Sequence, residues 1–256
     1  MSLTVRDLTK KYGEKTVLDH LSFEMPTGGV YALLGTNGAG KTTAIRMMLG
    51  MLSRDEGEVL WNGKPFDTSV CNVGYLAEER GLYPKYALMD QLIYFAGLRG
   101  VSRSDARQRI RYWADRLEVG EYLYPAPASA PALGQPRSPR RVKTVPPKKA
   151  DQLSKGNQQK IQLMTALISD PELLILDEPL SGVDVEGMET LMDMLDEIRR
   201  SYDLSILMTT HDFSMLPRYA DQVVLIDHGI KIKGSPEAVL NSTEFSDAFH
   251  LKGGKP

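Results

Sequence analysis

The chain has 256 residues, 42% of them hydrophobic and 25% charged, with a formal net charge of −2; such proportions are ordinary for a globular protein that buries a sizeable core. The near-neutral balance argues against a nucleic-acid partner that needs a basic surface, and the single cysteine, Cys71, rules out an internal disulfide, as fits a reducing compartment. The stretch Met1-Ser-Leu-Thr-Val-Arg-Asp-Leu has no signal-peptide core, and no apolar run approaches the ~18 residues that span a bilayer, so the expectation is a soluble chain that reaches a membrane only by docking on another polypeptide.

Leu3 to Leu8 and Val17 to Phe23 alternate apolar and polar residues as half-buried strands do, the second ending at a Pro26–Gly29 turn. Val30-Tyr-Ala-Leu-Leu34 is an apolar strand followed by a glycine-rich loop and a helical pattern at Ile45, Met48, Leu49 and Leu52. Short strands are expected at Gly57–Trp61 and Val73–Ala77. Two helices follow, Ala87–Leu98 and Ser104–Leu117, the latter behind Ser102 and Asp105 at capping-box spacing.

From Pro125 to Lys149 prolines recur at 125, 127, 131, 136, 139, 146 and 147 among basic residues, with no acids. Proline at that density blocks helix and central strand alike, so an extended or disordered linker is expected over approximately 124–150. Its charge leaves contact with anionic headgroups open as an alternative. Beyond it, Ile161, Met164, Leu167 and Ile168 keep a helical period and Leu173–Leu176 is a fully apolar strand. Helix Val185–Arg200, strands Leu204–Met208 and Val223–Ile226, and a C-terminal helical tail from Ser235-Pro236 complete the pattern. Apolar strands alternating with amphipathic helices imply an α/β fold with a mainly parallel sheet covered on both faces.

Gly35-Thr36-Asn37-Gly38-Ala39-Gly40-Lys41-Thr42 fits G-x-x-x-x-G-K-[ST] between a strand and a helix. The pattern alone arises by chance in roughly one chain in a hundred of this length, and the strand-loop-helix context lowers that further. Glycines let backbone N–H groups turn inward around phosphate, and the helix that begins through Thr42 and Thr43 adds its positive end. Lys41 would neutralise the β- and γ-phosphates and Thr42 would offer a hydroxyl to Mg²⁺. Asp177 and Glu178 end an apolar strand, where α/β proteins bind ligands. Asp177 then suits the metal and Glu178 can take a proton from attacking water.

With those residues in place, Leu153-Ser154-Lys155-Gly156-Asn157-Gln158-Gln159-Lys160 resembles the signature motif of ABC ATPases. Ser181-Gly-Val-Asp184 is similar to that family's D-loop, and Thr209-Thr-His211-Asp to its switch histidine. Read singly, Ser154 and Gly156 could merely begin a helix, and His211 and Tyr12 could be structural; their order along the chain carries the resemblance. It implies a P-loop NTPase with an N-terminal antiparallel β subdomain and a helical subdomain, approximately 79–170, that carries the signature, all within one domain over 1–256. It further implies Tyr12 stacking on adenine, His211 holding the γ-phosphate, Ser154 and Gly156 serving a neighbour's ATP, and Asp184 communicating across the interface. The chain departs from the family pattern at Lys155 (usually Gly), at Asn157 (usually Gln), and at Glu78, which stands where a glutamine usually serves Mg²⁺ or water.

The implied function is ATP hydrolysis, with Mg²⁺, in a head-to-tail homodimer docked on a separate membrane permease. The place implied is cytoplasmic, at the inner face of the cell membrane, with no nucleic acid as partner. The run Glu78-Glu-Arg-Gly-Leu-Tyr-Pro resembles that of bacterial exporters. A soluble non-transport ABC ATPase and an inactive nucleotide-binding regulator are the alternatives.

Overall fold

The computed structural model describes residues 2–78, 81–124 and 148–250. The chain divides into two compact units: Met1–Glu79 together with Asp170–Pro256, and Arg80–Ser169.

The first unit opens on a hairpin of β1 (Ser2–Tyr12) and β2 (Lys15–Pro26). β1 also pairs antiparallel with β4 (Glu56–Trp61), whose other edge holds the short β5 (Lys64–Pro65), giving the order β2-β1-β4-β5. Leu3, Val5, Leu18, Leu21 and Phe23 are buried on it, while residues such as Arg6 and Glu24 stay exposed. That division is what a sheet with one solvated face requires. Between the two halves of this sheet the chain makes β3 (Val30–Leu34) and α1 (Lys41–Met48).

β3 belongs to a second sheet, with β6 (Val73–Leu76), β7 (Leu173–Asp177), β8 (Ser205–Thr210), β9 (Gln222–Ile226) and β10 (Ile230–Gly234). Its order is β10-β9-β3-β8-β7-β6, parallel throughout except for the edge pair β9–β10. Every residue of β3, β7 and β8 is buried, as strands covered on both faces must be. Leu33, Ile175 and Leu207 of this sheet share one core with Ile45 and Met48 of α1 and with Val59 and Trp61 of β4. Each such side chain contributes ~1.5–3 kcal/mol by leaving water. α6 (Val185–Tyr202) starts at Asp184, whose carboxylate accepts from the Gly187 N–H, and turns Leu191, Met192, Leu195 and Ile198 inward at helical spacing. The short α7 (Leu216–Tyr219), α8 (Pro236–Leu240) and α9 (Thr243–Ala248) follow, the last two being the tail expected from the sequence. β5 and β10 extend the two sheets beyond the expected strands.

The second unit is helical: α2 (Leu88–Leu98), α3 (Arg103–Arg116), α4 (Gly120–Leu123), a 3₁₀ turn at Ala150–Gln152 and α5 (Lys155–Leu167). Ser102 caps α3, accepting from the Asp105 N–H at 3.2 Å. The expected linker ends sooner than the composition indicated. Lys148 accepts from the Leu88 N–H at 3.2 Å and Lys149 bridges Ala87 antiparallel. Partners some sixty residues away hold this end, and proline and lysine content carries no trace of them. The rest of the proline-rich stretch, 125–147, lies outside the described residues.

The sheet meets the glycine-rich loop at Gly35, where a Cβ would collide with the Ile226 carbonyl oxygen and stand 3.0 Å from the Ala39 Cβ. Gly35→Ala is expected to destabilise the protein by about 1–3 kcal/mol through this overpacking. Thermal unfolding checks it; a melting curve equal to wild type contradicts the close approach.

Candidate active site

The loop after β3 is shaped by two glycines with positive φ, Gly38 at 87° and Gly40 at 102°, a region open to glycine without penalty. A Cβ on Gly40 would also press on the Val17 carbonyl oxygen at 3.1 Å. Gly40 is the N-cap of α1 and has no side chain to satisfy the first-turn N–H groups, which stay available to an anion. The loop is held from behind: Gly35 donates to the Thr210 carbonyl, Ala39 to that of Thr36, and the Ala39 carbonyl accepts from the His228 N–H at 3.0 Å.

Lys41, nearly fully buried, folds back under the loop and donates to the carbonyls of Gly35 at 2.8 Å and Thr36 at 3.2 Å. Its ammonium is also 3.0 Å from Glu178 Oε1. The other Glu178 oxygen takes the His211 ring Nδ1 at 2.9 Å and the His211 N–H at 3.3 Å. Glu178 sits at φ 49° in the turn after β7, left-handed backbone that costs a glutamate on the order of 1 kcal/mol or more. Its own N–H donates to Thr209 Oγ1 at 2.9 Å, and that hydroxyl donates on to Asp177 Oδ1 at 2.6 Å. Thr209, on the neighbouring strand β8, thus ties the Asp177 carboxylate to the main chain of Glu178. Its place in the Thr209-Thr-His211-Asp run was visible in the sequence, but its role depends on the β7–β8 register, which pairs Asp177 with Thr209.

A cavity of about 440 Å³ lies beside these groups, lined by Asn37, Gly38, Gly40, Lys41, Thr42, Thr43, Glu78 and Glu178 together with Val17. Val17 escapes sequence reading because it looks like any inward residue of a strand. Glu78, exposed just after β6, is brought to the same cavity as the loop. Tyr12 lies 55% exposed at the β1–β2 turn, with the Lys10 ammonium 5.3 Å from its ring centroid, and is not among the lining residues. Ser154 and Gly156 are in the other unit, where Ser154 caps α5 by accepting from the Asn157 N–H at 3.3 Å. Asp184 is engaged as the cap of α6.

Whether this constellation suits a divalent cation can be judged from its donors. Thr42 Oγ1 and Asp177 Oδ1 are 3.2 Å apart, and Glu78 faces the same cavity. A hydroxyl and carboxylates beside a phosphate cradle make the oxygen set that Mg²⁺ takes while keeping waters, so the residues fit. Among the described residues no group of three acidic, histidine or cysteine side chains is placed to hold an ion.

Burial pushes the Asp177 carboxyl above its ordinary value, opposed by hydrogen bonds from Thr209 and Thr42 and reinforced by the Glu178 charge. The folded state then binds the proton more tightly than the unfolded chain, so the group's contribution to stability declines as pH rises through the raised range. Asp177→Asn keeps an acceptor for both threonines and drops the charge. Nucleotide-free, it is expected to melt no lower than wild type at neutral pH, with any advantage shrinking near pH 4, while stabilisation by Mg²⁺ with nucleotide disappears. Calorimetry at the two pH values checks this, and a neutral-pH melting point well below wild type contradicts it.

Residues 18–181 match the family model of ABC transporters. The uncharacterized ABC transporter ATP-binding protein YhaQ of Bacillus subtilis is 37% identical over 228 residues, covering 89% of this chain and 68% of that protein. MJ1023 of Methanocaldococcus jannaschii, of the same description, is 36% identical over 227 residues, covering 89% and 74%. Among solved structures, cbiO1 from Clostridium perfringens, part of the ABC transporter complex cbiONQ, superposes with a TM-score of 0.74 at 23% identity, over 98% of this chain and 95% of that one. MJ1267, an ATP-binding cassette of an ABC transporter in its ADP conformation, gives 0.79 at 18% identity, over 98% and 100%. Both share the fold. With a phosphate cradle, buried carboxylates and relatives of this kind, the chain belongs to the ABC transporter family as an ATP-binding subunit and is an ATPase.

Proposed function

We propose that the protein binds Mg-ATP at the cavity of Lys41 and hydrolyses it in a head-to-tail dimer that drives a separate membrane permease, in the direction of export. The observation that carries the chemistry is the chain of contacts from the buried Lys41 through the buried Glu178 to the exposed His211, set against the Thr42–Asp177 pair. In this reading residues 35–43 wrap the phosphates, and Lys41 offsets the charge that builds on the transferred group. Tyr12 stacks on the adenine. Thr42, Asp177 and Glu78 hold Mg²⁺, which bridges and neutralises phosphate oxygens when bound. Glu178 receives the proton of the attacking water, and His211 keeps that carboxylate and the γ-phosphate in line. Ser154 and Gly156 face the ATP of the second subunit, and Asp184 lies at that interface.

A docking place for the permease is supported in the helical unit, proposed to span about 79–170. Tyr83, Tyr86 and Tyr94 expose 53%, 67% and 56% of their surfaces, and Tyr83 stacks on Phe95 at 6.3 Å. Tyr94 lies on α2, and the loop carrying Tyr83 and Tyr86 is fixed by the buried Gln91, which accepts from the Tyr83 N–H and donates to the Tyr83 and Tyr86 carbonyls. Rigid, exposed aromatics suit a protein partner. Among the described residues no helix is long and apolar enough to cross a membrane, so a permease has to supply the spans. We place the subunit at the inner face of the cell membrane, attached through that permease.

Two measurements test this. Lys41→Ala is expected to take ATP binding below detection by titration calorimetry, and retained micromolar affinity contradicts the assignment. Glu178→Gln is expected to lower turnover by about 10²–10⁴-fold and to trap an ATP-bound dimer. Size exclusion that shows only monomer with Mg-ATP would sink the dimer reading.

A further inference from the structure

The signature segment of this chain follows a long run of residues of unusual composition, which raises the question of what sets its position. Tyr122, the third residue of α4, answers to three pieces of chain that are separate in sequence. Its own helix holds it from before the run: its N–H donates to the Val119 carbonyl at 3.1 Å, and Leu123 beside it is buried. From just after the run, the Lys148 ammonium lies 4.6 Å from the centroid of its ring, within cation–π range. From the signature helix, Asn157 Nδ2 donates to its hydroxyl at 2.9 Å.

Asn157 is the first-turn residue whose N–H is capped by Ser154, and it is one of the two positions at which the signature departs from the family pattern. The contact with Tyr122 therefore acts directly on the turn that presents Ser154 and Gly156. Neighbouring bonds stiffen the same turn. Gln158 donates to the carbonyls of Ala150 and Leu153, and the Lys149 N–H donates to Gln152 Oε1. Burial and the Glu121 carboxylate raise the Tyr122 hydroxyl above its ordinary value, and its oxygen offers a lone pair to the Asn157 amide.

We propose that Tyr122 is a positioning residue for the signature, fixing the Ser154–Asn157 turn through its hydroxyl and joining it to the chain on both sides of residues 125–147. The proposal rests on the reading in which Ser154 and Gly156 act on the second subunit's ATP. It differs from a general packing role in one respect: the hydroxyl should matter to closure and turnover, and not to nucleotide binding at the subunit's own Lys41.

The test compares wild type, Tyr122→Phe, Asn157→Ala and the double variant, all full-length. Three quantities are read: ADP affinity by calorimetry, ATP-dependent dimer formation by sedimentation with Glu178→Gln added to each protein, and steady-state turnover without it. Tyr122→Phe keeps the ring and so the Lys148 contact. It is expected to lower kcat about two- to tenfold, the worth of one hydrogen bond, and to weaken the ATP-dependent dimer in step, with ADP affinity unchanged. The double variant should be no worse than Asn157→Ala, because both substitutions delete one bond. Turnover equal to wild type in Tyr122→Phe, additive losses in the double variant, or a parallel loss of ADP affinity would each overturn the proposal. A Glu178→Gln protein that forms no dimer with Mg-ATP would overturn the dimer reading, and this proposal with it.

Discussion

Lys41 and Glu178 lie within 3.0 Å of each other, each more than nine-tenths buried. Taking either charge out of water alone costs several kcal/mol, and a bare ion pair does not reliably return it. Here the cost is spread: two backbone carbonyls take the remaining donors of Lys41, and the imidazole and N–H of His211 take the second oxygen of Glu178. Much of the site's geometry serves that arrangement. The carbonyls face Lys41 only because the loop turns back on itself through glycines, and Glu178 reaches it only from a left-handed backbone. On the proposed reading a triphosphate brings an anion of its own, so Lys41 exchanges one partner for another and the carboxylate is released toward water. On that reading, the Lys41–Glu178 pair is made from the groups the chemistry needs.

Strand order is what brings these groups into one place. β3 ends in the phosphate loop, and its neighbours β8 and β9 end in the His211 loop and in the turn at Asp227–Gly229. β7, next to β8, ends in Asp177. Parallel register makes all four ends coincide at one edge of the sheet. The His228 N–H then holds the Ala39 carbonyl and the Thr210 carbonyl holds the Gly35 N–H. The loop is therefore anchored to the strands on both sides of it, and phosphate-binding geometry follows from the sheet rather than from the glycines alone.

This explains what was legible in the sequence. The phosphate loop, the Asp177-Glu178 pair and the strands β3 and β7 could be read because fixed residue types sit at fixed spacings on apolar runs. The edge strand β10 was there to be seen as well, since Ile230-Lys-Ile-Lys alternates. It falls outside a search for continuous apolar runs because half of it faces solvent. The bridging role of Thr209 and the place of Val17 at the cavity were hidden for a different reason. Each depends on register or on the approach of a distant strand, and nothing in the local pattern encodes either. The pairing of Lys148 and Lys149 with Ala87 and Leu88 is of the same kind.

Charge balance gives the departure at Glu78 a physical consequence. The cavity is lined by one ammonium, that of Lys41, against the carboxylates of Glu78 and Glu178, with Asp177 joined to the lining residue Thr42. The ordinary family glutamine at that place would be neutral. On the proposed reading, a triphosphate adds several more negative charges to this set. Lys41 cannot offset that sum, even with the positive end of α1 beside it. On the proposed reading, a divalent cation bound with the nucleotide would offset part of that charge. On the same reading, the carboxylate of Glu78 would make the site lean more on that cation than a neutral glutamine would.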